Sequence, residues 1–188
     1  MSLIQKYLEG LTSCLGGLSK QNIEEICNII FDAYKNEKQV FIMGNGGSAS
    51  TASHFARDLS IGTAAEARRR FRAESLTDNV ALITALANDI DYSSIFAEQL
   101  IGRLNQGDVV IAISASGNSP NVLKAVELAR KEGAITIGLT GFNGGKLKHL
   151  TQNNIIVCSQ NYGIVEDTHL CLAHIISHIV RERIANGS

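Results

Sequence analysis

Residues 40–59, VFIMGNGGSASTASHFARDL, decide the fold of this chain. The first four are apolar and predict a buried β-strand over residues 39–43, which ends at the glycine turn Gly-Asn-Gly-Gly of residues 44–47. Glycine permits positive φ angles and close approach of the backbone. We expect a helix to begin at once, with Ser48 capping its start. The first N–H groups of that helix and its dipole favour an anion, so the stretch predicts a phosphate cradle.

His54 and Asp58 lie four residues apart on the predicted helix, so their side chains leave from one face. An acid/base or metal-binding pair would therefore share one element with the phosphate cradle. A solvated or packed pair without a function has the same spacing. The pair alone does not decide between these interpretations.

The glycine turn also matches the loose dinucleotide fingerprint G-x-G-x-x-A, at residues 44–49. That fingerprint asks for an acidic residue at the end of the next strand, about twenty residues further on. Asp78 is the nearest candidate, and it lies too far along the chain, after an arginine-rich stretch. The pattern therefore disfavours a nicotinamide cofactor. A P-loop is excluded because the sequence contains no G-x-x-x-x-G-K-[ST].

The composition is that of an ordinary globular protein, with 188 residues, 45% hydrophobic and 19% charged, a length that suits one domain. The net charge of −1 argues against broad attraction to nucleic acid or membranes. Without an apolar run of about eighteen residues or a signal-peptide pattern, we expect a cytoplasmic protein. The cysteines lack C-x-x-C spacing, which indicates reduced thiols. They are Cys14, Cys27, Cys158 and Cys171.

Residues 1–36 predict a pair of helices ahead of the first strand. In the first helix, apolar residues repeat at alternating steps of four and three, the narrow stripe that seats one helix against another. The stripe consists of Ile4, Leu8, Leu11, Leu15 and Leu18. Glycines weaken this helix as an isolated element, so we expect it to depend on packing, either on its own domain or on another subunit.

The rest of the chain alternates helices and strands. Strands are predicted at residues 73–76, 108–114, 135–140 and 154–158, and helices at 78–87, 91–103, 120–132 and 163–184. An arginine run at residues 68–72 is typical of solvated surface, and alternatively attracts an anionic substrate or pairs across subunits. With right-handed crossovers, residues 37–188 are predicted to form an α/β three-layer sandwich on a five-stranded parallel sheet in the flavodoxin-like order 2-1-3-4-5.

A serine turn, SASGNS at residues 114–119, follows the strand at 108–114. Ser119 is expected to cap the next helix, with Pro120 at its first position. The serine hydroxyls offer donors to phosphate oxygens or sugar hydroxyls. In the predicted strand order the glycine turn and the serine turn follow neighbouring strands and open into one crevice. Their convergence predicts a phosphorylated ligand.

The predicted last helix carries the segment VEDTHLCLAHIISH at residues 165–178. For any one of its histidines, a place on the surface or in the core is the simpler interpretation. Glu166 and His174 lie about 80° apart around the helix and about 12 Å along it. They would share one ion only if both side chains reached toward each other.

Five motifs together resemble the phosphoheptose isomerases of the sugar isomerase (SIS) domain superfamily. They are GNGGSA with HFA at residues 44–56, Asn88-Asp89, SASGNSPN at 114–121, TGFNGG at 140–145 and the acidic-to-histidine helix. The resemblance spans nearly the whole chain and implies a single SIS domain over residues 1–188. It also implies an aldose–ketose isomerase of heptose biosynthesis that converts sedoheptulose 7-phosphate to D-glycero-D-manno-heptose 7-phosphate.

The same resemblance implies a site and an assembly. Substrate contacts are implied at Asn45, Gly46, Gly47, Ser48, Asp58, Asn88, Asp89, Ser114, Ala115, Ser116, Ser119 and Glu166. One zinc ion per subunit is implied at His54, Asp58, Glu166 and His174, with Asp58 as the base and His174 as the acid. The family usually has Glu at position 58 and Gln at position 166, so Asp58 has a shorter reach and Glu166 adds a charge that favours a cation. A homotetramer is implied, with active sites built from more than one subunit.

Two other functions stay open at this point. One is a non-catalytic SIS-domain binding protein of the DnaA initiator-associating type, and His174 on the last helix favours catalysis over it. The other is an isomerase or a sensor of a different sugar phosphate. The residues do not identify the sugar.

Overall fold

The structure, a computed structural model, describes residues 1–62 and 69–186, so Arg68 of the arginine run lies outside the described residues. Its strands form one parallel sheet in the order β2-β1-β3-β4-β5, which confirms the predicted fold class and strand order. The strands are β1 (Val40–Gly44), β2 (Ala73–Ser75), β3 (Val109–Ser114), β4 (Ile135–Gly141) and β5 (Asn153–Val157).

Helices lie on both faces of this sheet. They are α1 (Leu3–Gly16), α2 (Lys20–Lys35), α3 (Gly47–Arg57), α4 (Val80–Asp89), α5 (Ala97–Leu100), α6 (Pro120–Lys131), α7 (Leu147–Leu150) and α8 (Tyr162–Asn186). A π-helical turn, Asp58–Gly62, continues α3, and a 3-10 turn, Tyr92–Ser94, precedes α5.

The core lies in two layers, because successive strand side chains point to opposite faces of the sheet. Ile42 and Ile111 pack into the cluster that holds α2, α3 and α8 against one face. Phe41 and Val110, one residue away in each strand, pack into the cluster that holds α5, α6 and α7 against the other. Every residue of β1 and β3 is buried. The sheet is therefore covered on both sides at its centre, as an all-parallel sheet requires.

The predicted helix over residues 91–103 is wrong. Asp91 accepts hydrogen bonds from the hydroxyls of Ser93 and Ser94, a local arrangement that competes with helix formation. The chain makes the 3-10 turn there, and the short α5 stops before Gly102, whose φ of +73° lies in the left-handed region. The apolar pattern of this segment reflects burial of Ile95 and Phe96 in the core and not a continuous helix.

The prediction that Ser48 caps α3 is also wrong. The N-cap is Gly46, at φ +56°, without a side-chain capping bond, and Ser48 lies buried inside the first turn. The glycine conformation lets the helix begin two residues earlier than a serine cap would. Ser119 does occupy the N-cap position of α6, but its side chain makes no capping bond.

Helix α1 packs on α8 through few contacts. The hydroxyl of Tyr7 donates to Asp167 Oδ2 at 2.7 Å, and Gly10 lies against Ile164. No residue of α1 is buried, and the stripe residues Ile4 and Leu8 are 74% and 58% exposed. The other stripe residues, Leu11, Leu15 and Leu18, are half-buried. Packing within the described part of the chain therefore leaves the first two stripe residues uncovered. Among the described helices, none is long and apolar enough to span a bilayer.

His169 is a fully buried histidine on α8. Its Nε2 lies 3.1 Å from the carbonyl oxygen of Thr140, which can only accept, so Nε2 carries the hydrogen and donates. Within the described residues, its Nδ1 is the buried side-chain nitrogen that has no hydrogen-bond partner. Burial lowers the pKa of His169 to about 4, against the opposing effect of the Thr140 hydrogen bond.

This buried imidazole predicts an acid-sensitive fold. The pKa of His169 is lower in the folded protein than in the unfolded chain, so the neutral imidazole contributes to the free energy of unfolding. That contribution is fully present above the unfolded pKa of about 6.5 and is lost as the pH falls from about 6.5 towards 4. The loss in free energy of unfolding should reach about 3 kcal/mol. Urea denaturation of the wild type and of His169→Gln at pH 7.5, 6 and 5 checks this, because glutamine keeps a donor but does not titrate. Parallel pH curves for the two proteins would contradict the prediction.

Candidate active site

The glycine turn and the serine turn open into one pocket at the carboxyl ends of β1 and β3. We name this cavity of about 240 Å³ the turn pocket. It is lined by Asn45, Ser48, Ile113, Ser114, Ala115, Ser116, Ser119, Tyr162 and Glu166. The two strands are neighbours in register, with Gly44 beside Ile113, so the turns that follow them meet. The structure thus brings both predicted turns together.

The serine turn is held by hydrogen bonds within it and by packing against the loop after β4. Gly117 N–H donates to Ser114 Oγ at 3.2 Å, and Ser114 Oγ lies 3.2 Å from Ser119 Oγ. Gly117 adopts φ +64° and packs directly against the backbone of Gly144 and Gly145. Because α6 begins at Pro120, the serine hydroxyls lie at the start of a helix, where its dipole favours an anion.

Asn45 of the glycine turn is held by two residues from other elements. Its Nδ2 donates to Asn121 Oδ1 and its Oδ1 accepts from Asn121 Nδ2, each at 2.9 Å. The hydroxyl of Tyr92 also donates to Asn45 Oδ1, at 3.1 Å. The sequence alone indicates no role for Asn121 or Tyr92. Asn121 is the last residue of the motif at residues 114–121, and this position could have indicated a role for it. Nothing in the sequence indicates a role for Tyr92.

A second group of side chains lies where α3 packs on α8. We name His54, Asp58 and His174 the His/Asp cluster. His54 Nε2 lies 3.2 Å from Asp58 Oδ2, His174 Nε2 lies 3.8 Å from the same oxygen, and the two Nε2 atoms are 2.9 Å apart. The three potential ligand atoms lie within 4.8 Å of one another.

Two arginines lie close to this cluster. Arg57 Nη1 donates to Asp58 Oδ1 at 2.5 Å, so both carboxylate oxygens of Asp58 have partners. The cluster borders a cavity of about 370 Å³ whose other walls include Arg57, Ser177, His178 and Arg181. Arg181 Nη2 lies 2.7 Å from His178 Nδ1.

Three predicted site residues lie apart from the cluster. Glu166 lines the turn pocket and packs against Gly47, at whose α-carbon an added methyl group would stand 2.6 Å from Glu166 Cδ. Asn88 and Asp89 are exposed at the end of α4, where Asn88 Nδ2 donates to Asp89 Oδ1 at 2.8 Å. A zinc-ligating role for Glu166, and substrate contacts by Asn88 and Asp89, stay predictions.

The two groups of side chains supply different chemistry. The turn pocket offers hydroxyl and amide donors for the oxygens of an anion. The His/Asp cluster offers one carboxylate and two imidazoles, which transfer protons or bind a cation such as zinc. Helices α3 and α8 each contribute to both, since Ser48 and Glu166 line the pocket while His54 and His174 lie further along the same helices. Asp58 follows α3 as the first residue of the π-helical turn.

A family model, sequence relatives and solved structures all relate this chain to the same group of proteins. Residues 6–141 match the model of the SIS domain family. A phosphoheptose isomerase from Citrifermentans bemidjiense is 38% identical over 185 residues, which cover 98% of this chain and 95% of the relative. The structure of a phosphoheptose isomerase from Francisella tularensis aligns with a TM-score of 0.88 at 29% identity, over 95% of this chain and 94% of the other. The Neisseria gonorrhoeae phosphoheptose isomerase structure aligns with a TM-score of 0.87 at 25% identity, over 95% of each chain.

Proposed function

The chain belongs to the phosphoheptose isomerases of the SIS domain family, and from this membership we propose that it is an aldose–ketose isomerase that converts sedoheptulose 7-phosphate to D-glycero-D-manno-heptose 7-phosphate. One observation carries the proposal. Helix α3 with the π-helical turn that continues it, and helix α8, each contribute side chains both to the donor-rich turn pocket and to the carboxylate–imidazole cluster. A sugar phosphate needs both, one for its phosphate and one for its reacting carbons.

The turn pocket is proposed to bind the phosphate. The serine turn supplies the hydroxyls of Ser114, Ser116 and Ser119, and the pocket lies at the start of α3 and α6. Helix N-termini favour anions, and hydroxyl donors on a rigid turn need little reorganisation to bind one. Binding the far end of the sugar would orient C1 and C2 for reaction.

The His/Asp cluster is proposed to move the protons. Isomerisation takes a proton from C1 of the ketose and gives one to the oxygen on C2, forming an enediol. A proton then leaves the oxygen on C1 and another is delivered to C2, which completes the aldose. We assign Asp58 as the base and His174 as the acid, because they lie together in one cluster and offer a carboxylate and an imidazole.

The cluster also fits a zinc ion. Its donor set of two imidazole nitrogens and one carboxylate oxygen is one that zinc accepts, and the three atoms already converge within 4.8 Å. We propose that His54, Asp58 and His174 hold one zinc ion per subunit, with Glu166 as the fourth ligand. In each proton transfer, Asp58 or His174 would act through a carboxylate oxygen or ring nitrogen that is not bound to the ion at that step. Bound zinc would polarise the oxygen atoms on the reacting carbons.

The zinc proposal predicts a change in metal content. His54→Ala and His174→Ala should each reduce bound zinc from one ion per subunit to well below half, since each removes one of three ligands. Elemental analysis after exhaustive dialysis checks this. His149→Ala, on the exposed surface of α7, is the matched control and should leave the zinc content unchanged. Full occupancy in both cluster variants would refute the site.

The exposed stripe residues Ile4 and Leu8 of α1 support a homotetramer, with active sites that include residues of more than one subunit. Leu8→Asp should dissociate the assembly, because it places a charge on a stripe that the described chain leaves exposed. Lys6→Asp, on another side of α1, should leave it intact. Light scattering measures both masses, and a monomeric wild type at assay concentration would contradict the proposal.

The experiment that tests the function is a product assay of the pure protein with sedoheptulose 7-phosphate, with and without zinc, beside a six-carbon ketose phosphate. We expect the aldose heptose 7-phosphate to form, and to form faster than the six-carbon product. Conversion of the six-carbon sugar alone would favour another isomerase. Binding of both sugars without conversion of either would favour a SIS-domain binding protein.

A further inference from the structure

Asn45 projects from the glycine turn into the turn pocket, and its carboxamide already has three hydrogen bonds to Asn121 and Tyr92. We propose that Asn121 and Tyr92 are positioning residues that fix Asn45 as a pure hydrogen-bond donor to the ligand. This inference rests on the proposed function for the identity of the ligand. The orientation of Asn45 itself follows from the contacts alone.

The orientation begins at a backbone group. Val122 N–H donates to Asn121 Oδ1 at 2.9 Å. A backbone amide can only donate, so the side-chain atom that it meets must be the oxygen and not the nitrogen of Asn121. Asn121 is 1% exposed, which leaves its amide held by protein partners and not by bulk water. The start of α6 therefore determines which way the Asn121 amide faces.

Asn121 in turn determines the orientation of Asn45. The two amides form a reciprocal pair, with both N–H···O distances at 2.9 Å. If the Asn45 amide turned over, its nitrogen would meet the Asn121 nitrogen and its oxygen the Asn121 oxygen. Both hydrogen bonds would be lost, and buried polar atoms would face like partners.

Tyr92 completes the arrangement from a third element. Its hydroxyl donates to Asn45 Oδ1 at 3.1 Å, so that oxygen accepts two hydrogen bonds, and both of its lone pairs are used. One hydrogen of Asn45 Nδ2 is bonded to Asn121, and among the described residues the other has no partner, which leaves it for a ligand in the turn pocket.

This arrangement determines which kind of ligand atom can bind next to Asn45. The ligand atom that meets Asn45 must be an acceptor, such as a phosphate oxygen or a carbonyl oxygen. A ligand ammonium group at the same place would meet only a donor. Asn45 therefore favours the oxygens of a phosphorylated neutral sugar over an amino group at this position.

A double-mutant cycle tests whether Tyr92 acts through Asn45. The dissociation constant for sedoheptulose 7-phosphate is measured by calorimetry in the wild type, Tyr92→Phe, Asn45→Ala and the double variant. Loss of one neutral hydrogen bond should weaken binding about 2–10-fold in the wild-type background. When residue 45 is alanine, Tyr92→Phe should change the dissociation constant by no more than twofold.

Tyr92 is 57% exposed, so its replacement by phenylalanine does not threaten folding. Tyr34→Phe is the matched control. The hydroxyl of Tyr34 donates to the backbone carbonyl oxygen of Arg69, at the opposite end of β1 from Asn45. Tyr34→Phe therefore removes a comparable hydrogen bond far from the turn pocket and should leave sugar binding unchanged. Equal weakening by Tyr92→Phe in both backgrounds, or no weakening in either, would overturn the inference.

A second measurement does not depend on any sugar. The side-chain amide resonance of Asn45, identified by its loss in Asn45→Ala, is recorded in the ligand-free protein. We expect Tyr92→Phe to move this resonance and Tyr34→Phe to leave it in place. A wild type that binds no sugar phosphate would count against the proposed function alone. An Asn45 resonance that Tyr92→Phe does not move would count against the positioning role.

Discussion

Asp58→Asn is expected to lower the turnover of sedoheptulose 7-phosphate about 10²–10⁴-fold, the usual effect of removing one acid/base group. Asp58 is the only carboxylate of the His/Asp cluster, with Oδ2 3.2 Å from His54 Nε2 and 3.8 Å from His174 Nε2. Asparagine has nearly the same shape but cannot accept the proton. The turn pocket is untouched, so the sugar phosphate should still bind.

Steady-state kinetics with zinc in excess separate the effect of Asp58→Asn on turnover from its effect on substrate binding. Zinc content is measured on the same samples. Ser116→Ala is the contrasting variant, because it removes a hydroxyl from the turn pocket and leaves the cluster intact. It should raise KM several-fold with little change in kcat, the result expected when a binding contact is lost. An Asp58→Asn enzyme that keeps at least a third of wild-type turnover would exclude Asp58 as the base.

The second large effect concerns stability, at Gly117 under the serine turn. Gly117 adopts φ +64°, and an added methyl group would collide with the carbonyl oxygen of Gly144 and stand 2.6 Å from its carbon. Both obstacles are backbone atoms, so no side chain can turn aside. Left-handed strain of about 1–2 kcal/mol and a further overpacking cost of about 1–3 kcal/mol should make Gly117→Ala roughly 3 kcal/mol less stable.

Gly102→Ala is the control for the strain alone. Gly102 has a similar φ, +73°, but an added methyl group there would meet no atom within 4 Å. It should cost only the strain, about 1–2 kcal/mol. Urea denaturation gives both free energies of unfolding. If the two variants lost the same stability, the contact between the serine turn and Gly144 would not be the tight one that the structure describes.

The sheet was predictable because its signals are local. Four apolar residues precede the glycine turn, and the apolar run VVIAI precedes the serine turn. Both runs indicate strands buried on both faces, and β1 and β3 are buried throughout. The right-handed crossover rule then placed them side by side. The meeting of the two turns followed from strand order and needed no knowledge of individual side chains.

What the sequence did not show depends on distant partners. Asn45 and Asn121 are 76 residues apart, and Asn45 and Tyr92 are 47 apart, so no spacing rule pairs them. The prediction that Ser48 caps α3 was wrong because Gly46 adopts a positive φ and α3 begins earlier. Glu166 lines the turn pocket and is not part of the His/Asp cluster, as the rise of about 12 Å between Glu166 and His174 along α8 leads one to expect. Only the packing of α8 on α3 shows that Glu166 meets Gly47.

Isomerisation in deuterium oxide tests the central claim most directly. The wild-type protein, loaded with zinc, is incubated with sedoheptulose 7-phosphate, and the recovered sugars are examined by mass spectrometry and NMR. Proton abstraction and return through an enediol predicts deuterium at C1 of the ketose or C2 of the aldose, together with the aldose product. Sugar that binds to the protein but returns unconverted and free of carbon-bound deuterium would contradict the isomerase assignment.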